Sequence, residues 1–403
     1  MNIAKIVYIT EFFSEKMGYS ENCLPKAMAS LGQEVHVVAS ELQPYGNLSN
    51  YNETYGRFLG PRIQPCGSKF VDGYMLHRLP HRLHFGYVSI CGLVSKIRLL
   101  KSDIVQTINC ISTNTLKIAV AQGLFGYNMF TECHQHMSII KPYLRYQTLL
   151  HPKRLLYFVT RTIPGRFVSL FTKKCFPIAP DCVEVAHRFY GVQKRKIKIM
   201  TLGTDTDLFF PVRDKTSMDQ RIKLRRELRF SKSEIVCIYT GRFSEGKNPL
   251  LLAKAVSEIR NQGLPYRAIF IGDGFQRTEI ELFEGNVIIP FVDFCELPKY
   301  YRAADIGVWP RQESMAMLDA ASCGIPVVAS DHMGDLDRVR GNGEVYSEGE
   351  VRDLVRVLRN LDSKDVRCKY GKKGRQKMVD KYSWVEIAKD RLMDYRQALE
   401  RRT

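Results

Sequence analysis

The chain has 403 residues, 45% of them apolar and 25% charged, with 60 Lys and Arg against 42 Asp and Glu and a formal net charge of +18. A single core stops growing at roughly 250–300 residues, so two domains are expected, and the ordinary composition excludes a disordered, fibrous or polytopic membrane protein. The charge predicts an acidic partner: nucleic acid, an anionic bilayer or a phosphorylated ligand.

In chain order, 5–10 is a short apolar, β-branched run. Gly18 follows, then a helical pattern over 21–31 with Leu24, Ala27, Met28 and Leu31 on one face. Segment 35–40 is almost continuously apolar, as a strand buried on both faces should be. Segments 103–107, 128–131 and 183–186 repeat that signature, with helices expected over 83–100 and 113–124. After a Gly-, Asp- and Pro-punctuated stretch over 201–211 the pattern restarts. Strands are expected at 234–240, 267–271, 286–289, 305–309 and 326–330, and helices at 250–261, 297–303 and 315–323. The tail over 351–402 reads as charged helix. Twofold strand–helix alternation predicts an α/β protein with two Rossmann-like, doubly wound domains, 1–205 and 206–382, hinged near 205–215. A last helix over 383–403 is expected to pack back on the first domain. Ligands are expected at the carboxyl ends of the strands and in the cleft between the domains.

Eleven cysteines occur singly, none in a C-x-x-C pair, which predicts reduced thiols of a cytosolic protein. No charged n-region precedes an apolar stretch at the N-terminus, and no run reaches the roughly 20 apolar residues of a spanning helix. A soluble protein, or one lying on a membrane, is expected.

Two stretches can carry chemistry. In Tyr239-Thr-Gly-Arg-Phe-Ser-Glu-Gly-Lys247-Asn-Pro249, a strand ends at Gly241, and Arg242 and Lys247 flank a turn before a helix. Two cations beside a glycine at a parallel strand's carboxyl end make a diphosphate clamp or, on the blander reading, a solvated loop. In the run from Pro310 to Ser330, Glu313 stands in the loop before a helix. Backbone N–H groups near Ser314, Met315, Ala316 and Met317 would point at an anion, and Asp319 would reach a ribose diol. Asp205-Thr-Asp207 reads as D-x-D, but its place after 201 favours a turn or cap. His77, His81 and His84 have near-helical spacing for a metal, but Pro80 interrupts them and no carboxylate completes a shell.

Together, G-R-x-x-x-x-K, G-D-G at Gly272, Y-R-A-A-D-I-G-V-W-P and E-S-x-x-x-L-D-A-A-x-C-G-I-P-V-V-A-S resemble the C-terminal half of a family 4 (group 1) retaining glycosyltransferase of GT-B fold. The interdomain segment from Val192 to Pro211 is similar to that family's as well. So are Gly18, Leu24, Leu31-Gly32 and Glu34-Val35-His36-Val37 to its first strand–helix–strand unit. The resemblance implies metal-independent transfer from a nucleotide-sugar donor with the anomeric configuration retained, and no further cofactor. It implies that Arg242 and Lys247, beside Gly241, hold the donor diphosphate, that Glu313 meets the donor sugar, and that Asp319 meets the ribose. Gly18 and Gly272 would pass close to the donor, the base would lie against Phe291 and Val292, and His134, with His136 as the alternative, would face the sugar. Glu132 would be a hydrogen-bonding partner or a base. The sequence departs from the family in two respects: the family has Glu-x7-Glu where this chain has Glu313-x5-Asp319, with Arg311 at the first acidic position on alignment to Asp319, and the usual paired glycine of the first loop is only Met17-Gly18.

The charge is concentrated in the first half. Residues 1–200 hold 25 Lys and Arg against 11 Asp and Glu, a net of +14. No acid falls within 73–102 or 133–180. The second stretch interleaves Lys141, Arg145, Lys153, Arg154, Arg161, Arg166, Lys173 and Lys174 with Tyr143, Tyr146, Leu149, Leu150, Leu155, Leu156, Phe158, Phe167 and Leu170. Basic residues among aliphatics and aromatics suit an anionic bilayer better than nucleic acid. The expectation is a cytoplasmic, peripheral enzyme of the inner membrane face acting on a lipid-linked saccharide, with no nucleic-acid partner. The alternative is a non-catalytic binding subunit of the same fold.

Overall fold

The computed structural model describes residues 4–84, 87–144 and 151–400. The chain forms two compact units, Met1–Leu202 with Ile387–Thr403 and Gly203–Glu386.

The first unit contains β1 (Lys5–Thr10), β2 (Glu34–Ser40), β3 (Gly67–Val71), β4 (Tyr74–Leu79), β5 (His81–His84), β6 (Tyr87–Ile90), β7 (Ile104–Thr107), β8 (Asn128–Cys133) and β9 (Thr172–Pro177). Its main sheet runs β3-β4-β2-β1-β7-β8-β9, parallel except for the β3–β4 pair. The central strands are buried on both faces; Ile6, Val7, Tyr8, Val37, Val38, Ile104 and Val105 are inaccessible. The strand order reverses between β1 and β7, which is where a doubly wound sheet opens a ligand crevice at its carboxyl edge.

The second unit contains β10 (Ile235–Thr240), β11 (Tyr266–Ile271), β12 (Asn286–Ile289), β13 (Ile306–Trp309), β14 (Val327–Ser330) and β15 (Gly343–Tyr346), ordered β12-β11-β10-β13-β14-β15 and all parallel. Here the reversal falls between β10 and β13. Trp309 donates its indole N–H to the Thr240 carbonyl at 3.2 Å and fixes those two strand ends together.

Three expectations are corrected. Segment 83–100 is not one helix: His81–His84 and Tyr87–Ile90 form an antiparallel hairpin, and the helix is confined to Leu93–Leu100. Tyr, Val and Ile favour a pleated surface, and Pro80 bars helix before them. The expected strand over 183–186 is helical, part of a turn begun by Pro180 and continued to Phe189. The last parallel strand is β9, whose Lys173 and Lys174 hid it. At a sheet edge such charges reach outward, and Lys174 pairs with Asp394 on the final helix. The stretch after 202 is not a free linker. Phe209 is fully buried in the second unit's core, and Thr204 bonds to Tyr382 and Trp384 through the backbone. Asp205 is a turn cap, its carboxylate accepting from the N–H groups of Asp207 and Leu208.

A hairpin unread in the sequence closes one edge of the first sheet. Asp72 and Gly73, both at positive φ, make the two-residue turn between β3 and β4, the turn chemistry that Asp-Gly favours. Of the proposed histidine set, His77 is buried against His36 and Ser68, and His81 bonds to Glu41. Arg145, Tyr146, Leu149 and Leu150 lie outside the described residues.

Candidate active site

The second unit gathers most of the expected residues at its strand-order reversal. β10 ends at Gly241, whose φ of +145° a side chain would strain. The loop after β11 passes so close that a Cβ on Gly272 would lie 1.9 Å from the Gly241 carbonyl oxygen. Glycine at both positions lets two loops run backbone to backbone. Arg242 follows at the surface, and Lys247 reaches across to β13's loop, donating from Nζ to the Glu313 carbonyl at 2.7 Å. Burial, reinforced by the Arg242 charge and opposed by Glu313, pulls Lys247 down to about 8. Two cations held together at this cost form a site whose charge an anion would relieve.

Glu313 is placed but not loose. Its Oε1 accepts the Asp335 N–H at 2.8 Å, and its Oε2 lies 3.3 Å from Nη1 of the buried Arg338. Arg311 bridges the Glu348 carboxylate and the Glu245 carbonyl. The helix after this loop starts at Ala316, one position later than expected. Two of its first amides turn inward: Ala316 donates to the Ser314 hydroxyl at 3.4 Å and Met317 to the Ser314 carbonyl at 3.2 Å. The expectation that amides across 314–317 stand free for an anion is therefore corrected to those of Ser314 and Met315. Asp319 lies inside the second unit. It is 5% exposed and accepts from the Thr204 hydroxyl at 2.7 Å. Burial, with the charge of Asp205, raises its carboxyl to about 7. Phe291 and Val292 follow β12, half-buried.

The first unit places the remaining residues at its own reversal. Gly18 lies in the loop between β1 and the helix Ser20–Ser30. At the end of β8, the fully buried Glu132 is bonded to His134 Nε2 at 2.8 Å, to the Tyr8 hydroxyl, and to Arg391 Nη1 at 3.3 Å. Burial opposes charging of both Glu132 and His134, but their mutual hydrogen bond and charge outweigh it. Glu132 is held below the ordinary carboxylate range and His134 above the ordinary histidine value. His136 points elsewhere, to Asp181.

Four functional candidates escaped the sequence reading. Arg391 and Tyr395, on the final helix Trp384–Glu400, both bond to Gln106 of β7, and Arg391 carries the counter-charge for Glu132. No motif marks a cation nearly 260 residues from its partner. Glu11 ties the ends of β1 and β7 by accepting from Asn109 and Asn114. Glu21, raised to about 7 chiefly by burial, lies within the field of His134 and Glu132. Its place in the first turn of a helix was the one available signal.

Two units, each with a doubly wound sheet and polar residues at its strand-order reversal, have the GT-B fold. Residues 234–363 match the family described as glycosyl transferases group 1. The D-inositol 3-phosphate glycosyltransferase of Rhodococcus erythropolis is 28% identical over 238 residues, 54% of this chain and 52% of that protein. An Escherichia coli protein named UDP-Gal:alpha-D-GlcNAc-diphosphoundecaprenol alpha-1,3-galactosyltransferase is 22% identical over 240 residues, 55% of this chain and 60% of that one. The chain thus spans roughly half the length of the curated relatives it matches. Among solved structures, the sucrose-phosphate synthase of Thermosynechococcus elongatus has the same fold, with a TM-score of 0.70 at 16% identity over 98% of this chain and 99% of that one.

Proposed function

We propose that the protein is a retaining glycosyltransferase that moves a sugar from a nucleotide-sugar donor to a lipid-linked saccharide. The carrying observation is the pairing of Arg242 with the depressed Lys247 at the β10 reversal, beside the Gly241–Gly272 approach and the Glu313 loop. In this reading the bond from the anomeric carbon to the diphosphate breaks and a bond to the acceptor oxygen forms on the same face. The acceptor proton passes to the departing diphosphate. Arg242 and Lys247 stabilise the charge that develops there, which needs no metal. Glu313 and the Ser314 and Met315 amides meet the sugar and phosphate. The lipid-linked acceptor is supported by the name of the E. coli relative.

A panel of nucleotide-sugars tests the reading by thermal shift and by sugar transfer to a polyprenyl-diphosphate saccharide. A donor at 100 times its Kd adds about 2.7 kcal/mol to the stability of the unit that binds it. No shift and no transfer with any donor overturns it. Binding without transfer or hydrolysis favours a non-catalytic subunit, the reading supported by Glu313 being tied to Asp335 and Arg338.

The clamp carries a pH signature. Lys247 is charged below about 8 and neutral above it. Affinity for a nucleoside diphosphate is expected to be full near neutrality and to fall as the pH rises through about 8, and Lys247→Met to flatten that fall. Calorimetric titrations across this range check it.

The acceptor reading carries with it docking on an anionic membrane. Among the described residues no helix is long and apolar enough to cross a membrane. The helical stretch from Pro152 to Phe171 exposes Leu155, Leu156, Val159, Ile163, Phe167 and Leu170 alongside Lys153 and Arg166. Leu99 and Leu124, on neighbouring helices, are also exposed. At about 1 kcal/mol per cation, Lys153→Gln with Arg166→Gln is expected to weaken partition onto anionic liposomes about 30-fold. Flotation on neutral vesicles serves as the control, and unchanged binding by the double variant rejects this face.

A further inference from the structure

We propose that His136, Asp181 and Cys182 form a binding site for a soft divalent cation, zinc by its chemistry, that ties the loop after β8 to the helical turn beginning at Pro180. His136 Nδ1 lies 3.1 and 3.0 Å from the two Asp181 oxygens and 3.8 Å from Cys182 Sγ. All three ligand atoms fall within 4.8 Å of one another, the one such set of three among the described residues. Zinc bonds of about 2.0–2.3 Å to nitrogen, oxygen and sulfur place neighbouring ligands of a tetrahedron about 3.3–3.7 Å apart. The two His136 separations, 3.0 Å to Asp181 and 3.8 Å to Cys182, already lie within a few tenths of an ångström of that spacing.

The His136 imidazole, the Asp181 carboxylate and the Cys182 sulfur each offer a lone pair that one cation can accept. The mixed nitrogen, oxygen and sulfur set selects zinc over magnesium or calcium, which prefer oxygen alone. The Met137 N–H donates to Asp181 Oδ2 at 3.1 Å, a partner that orients the carboxylate as outer-shell groups do. Cys182 is buried while His136 and Asp181 are half exposed, so a fourth position opens to water and the ion is exchangeable. Its role is to clamp the segment that also carries His134. The site stands on these contacts alone and does not depend on the transferase reading.

The full chain, loaded with zinc and desalted, is expected to retain about one equivalent by elemental analysis. Cobalt in its place should give a thiolate-to-metal charge-transfer band. His136→Ala, at a half-exposed position, keeps the fold, as its unfolding transition should show, and loses both signals. Cys182→Ser loses the charge-transfer band. Asp181→Asn weakens zinc binding at least tenfold. Absence of retained metal in the wild type, or metal and band persisting undiminished in His136→Ala, overturns the site.

Discussion

Arg242→Ala is expected to lower turnover of the nucleotide-sugar about 10²–10³-fold, the scale on which one preorganised donor to a developing anion acts. Arg242 is exposed at the end of β10, so its loss should leave the unfolding transition unmoved. Lys247→Ala should be worse by two measures. It removes the second charge, and it releases the Glu313 carbonyl that Lys247 Nζ holds, so the β13 loop loses its tie to β10. Steady-state release of the nucleoside diphosphate, with the Tm of each variant alongside, separates loss of chemistry from loss of structure. Full activity in Arg242→Ala would remove the clamp from the mechanism.

Arg391→Met is expected to destabilise the first unit by about 3–5 kcal/mol, the cost of leaving a buried ion without its partner. Arg391 is 2% exposed and Glu132 not at all, and no solvent screens the pair. The guanidinium also lies 3.4 Å from the Phe176 ring centroid and donates to Gln106, so shape-matched methionine restores neither contact. Urea unfolding, followed by a probe in the first unit, measures the loss. Gln397→Ala on the exposed side of the same helix should stay within about 0.5 kcal/mol. A comparably small effect of Arg391→Met would show that His134 alone suffices as the counter-charge of Glu132.

Five of the second unit's six strands were legible, and β15 was not. Strands β10, β11, β13 and β14 are largely buried on both faces, so they read as apolar runs, whereas β15 is partly exposed. Strand β9 was misread because it lies at a sheet edge, where Lys173 and Lys174 stand outside and break the pattern that interior strands must keep. The β5–β6 hairpin was absorbed into a helix because β5 is exposed along most of its length and carries His81, Arg82 and His84, so no apolar run marks it.

The sequence alone determined the two doubly wound units, the placement of Arg242 and Lys247 after the end of β10, and the concentration of charge in the first half. Each follows from local order, since a glycine-ended strand sets the residues after it at the sheet's carboxyl edge wherever the rest of the chain goes. Only the tertiary structure decided that Asp319 is buried against Thr204, that Glu313 is tied to Asp335 and Arg338, and that Arg391 supplies Glu132's counter-charge. Those pairs are set by which elements touch, and burial then fixes the protonation of each group. Neither quantity is carried by spacing along the chain.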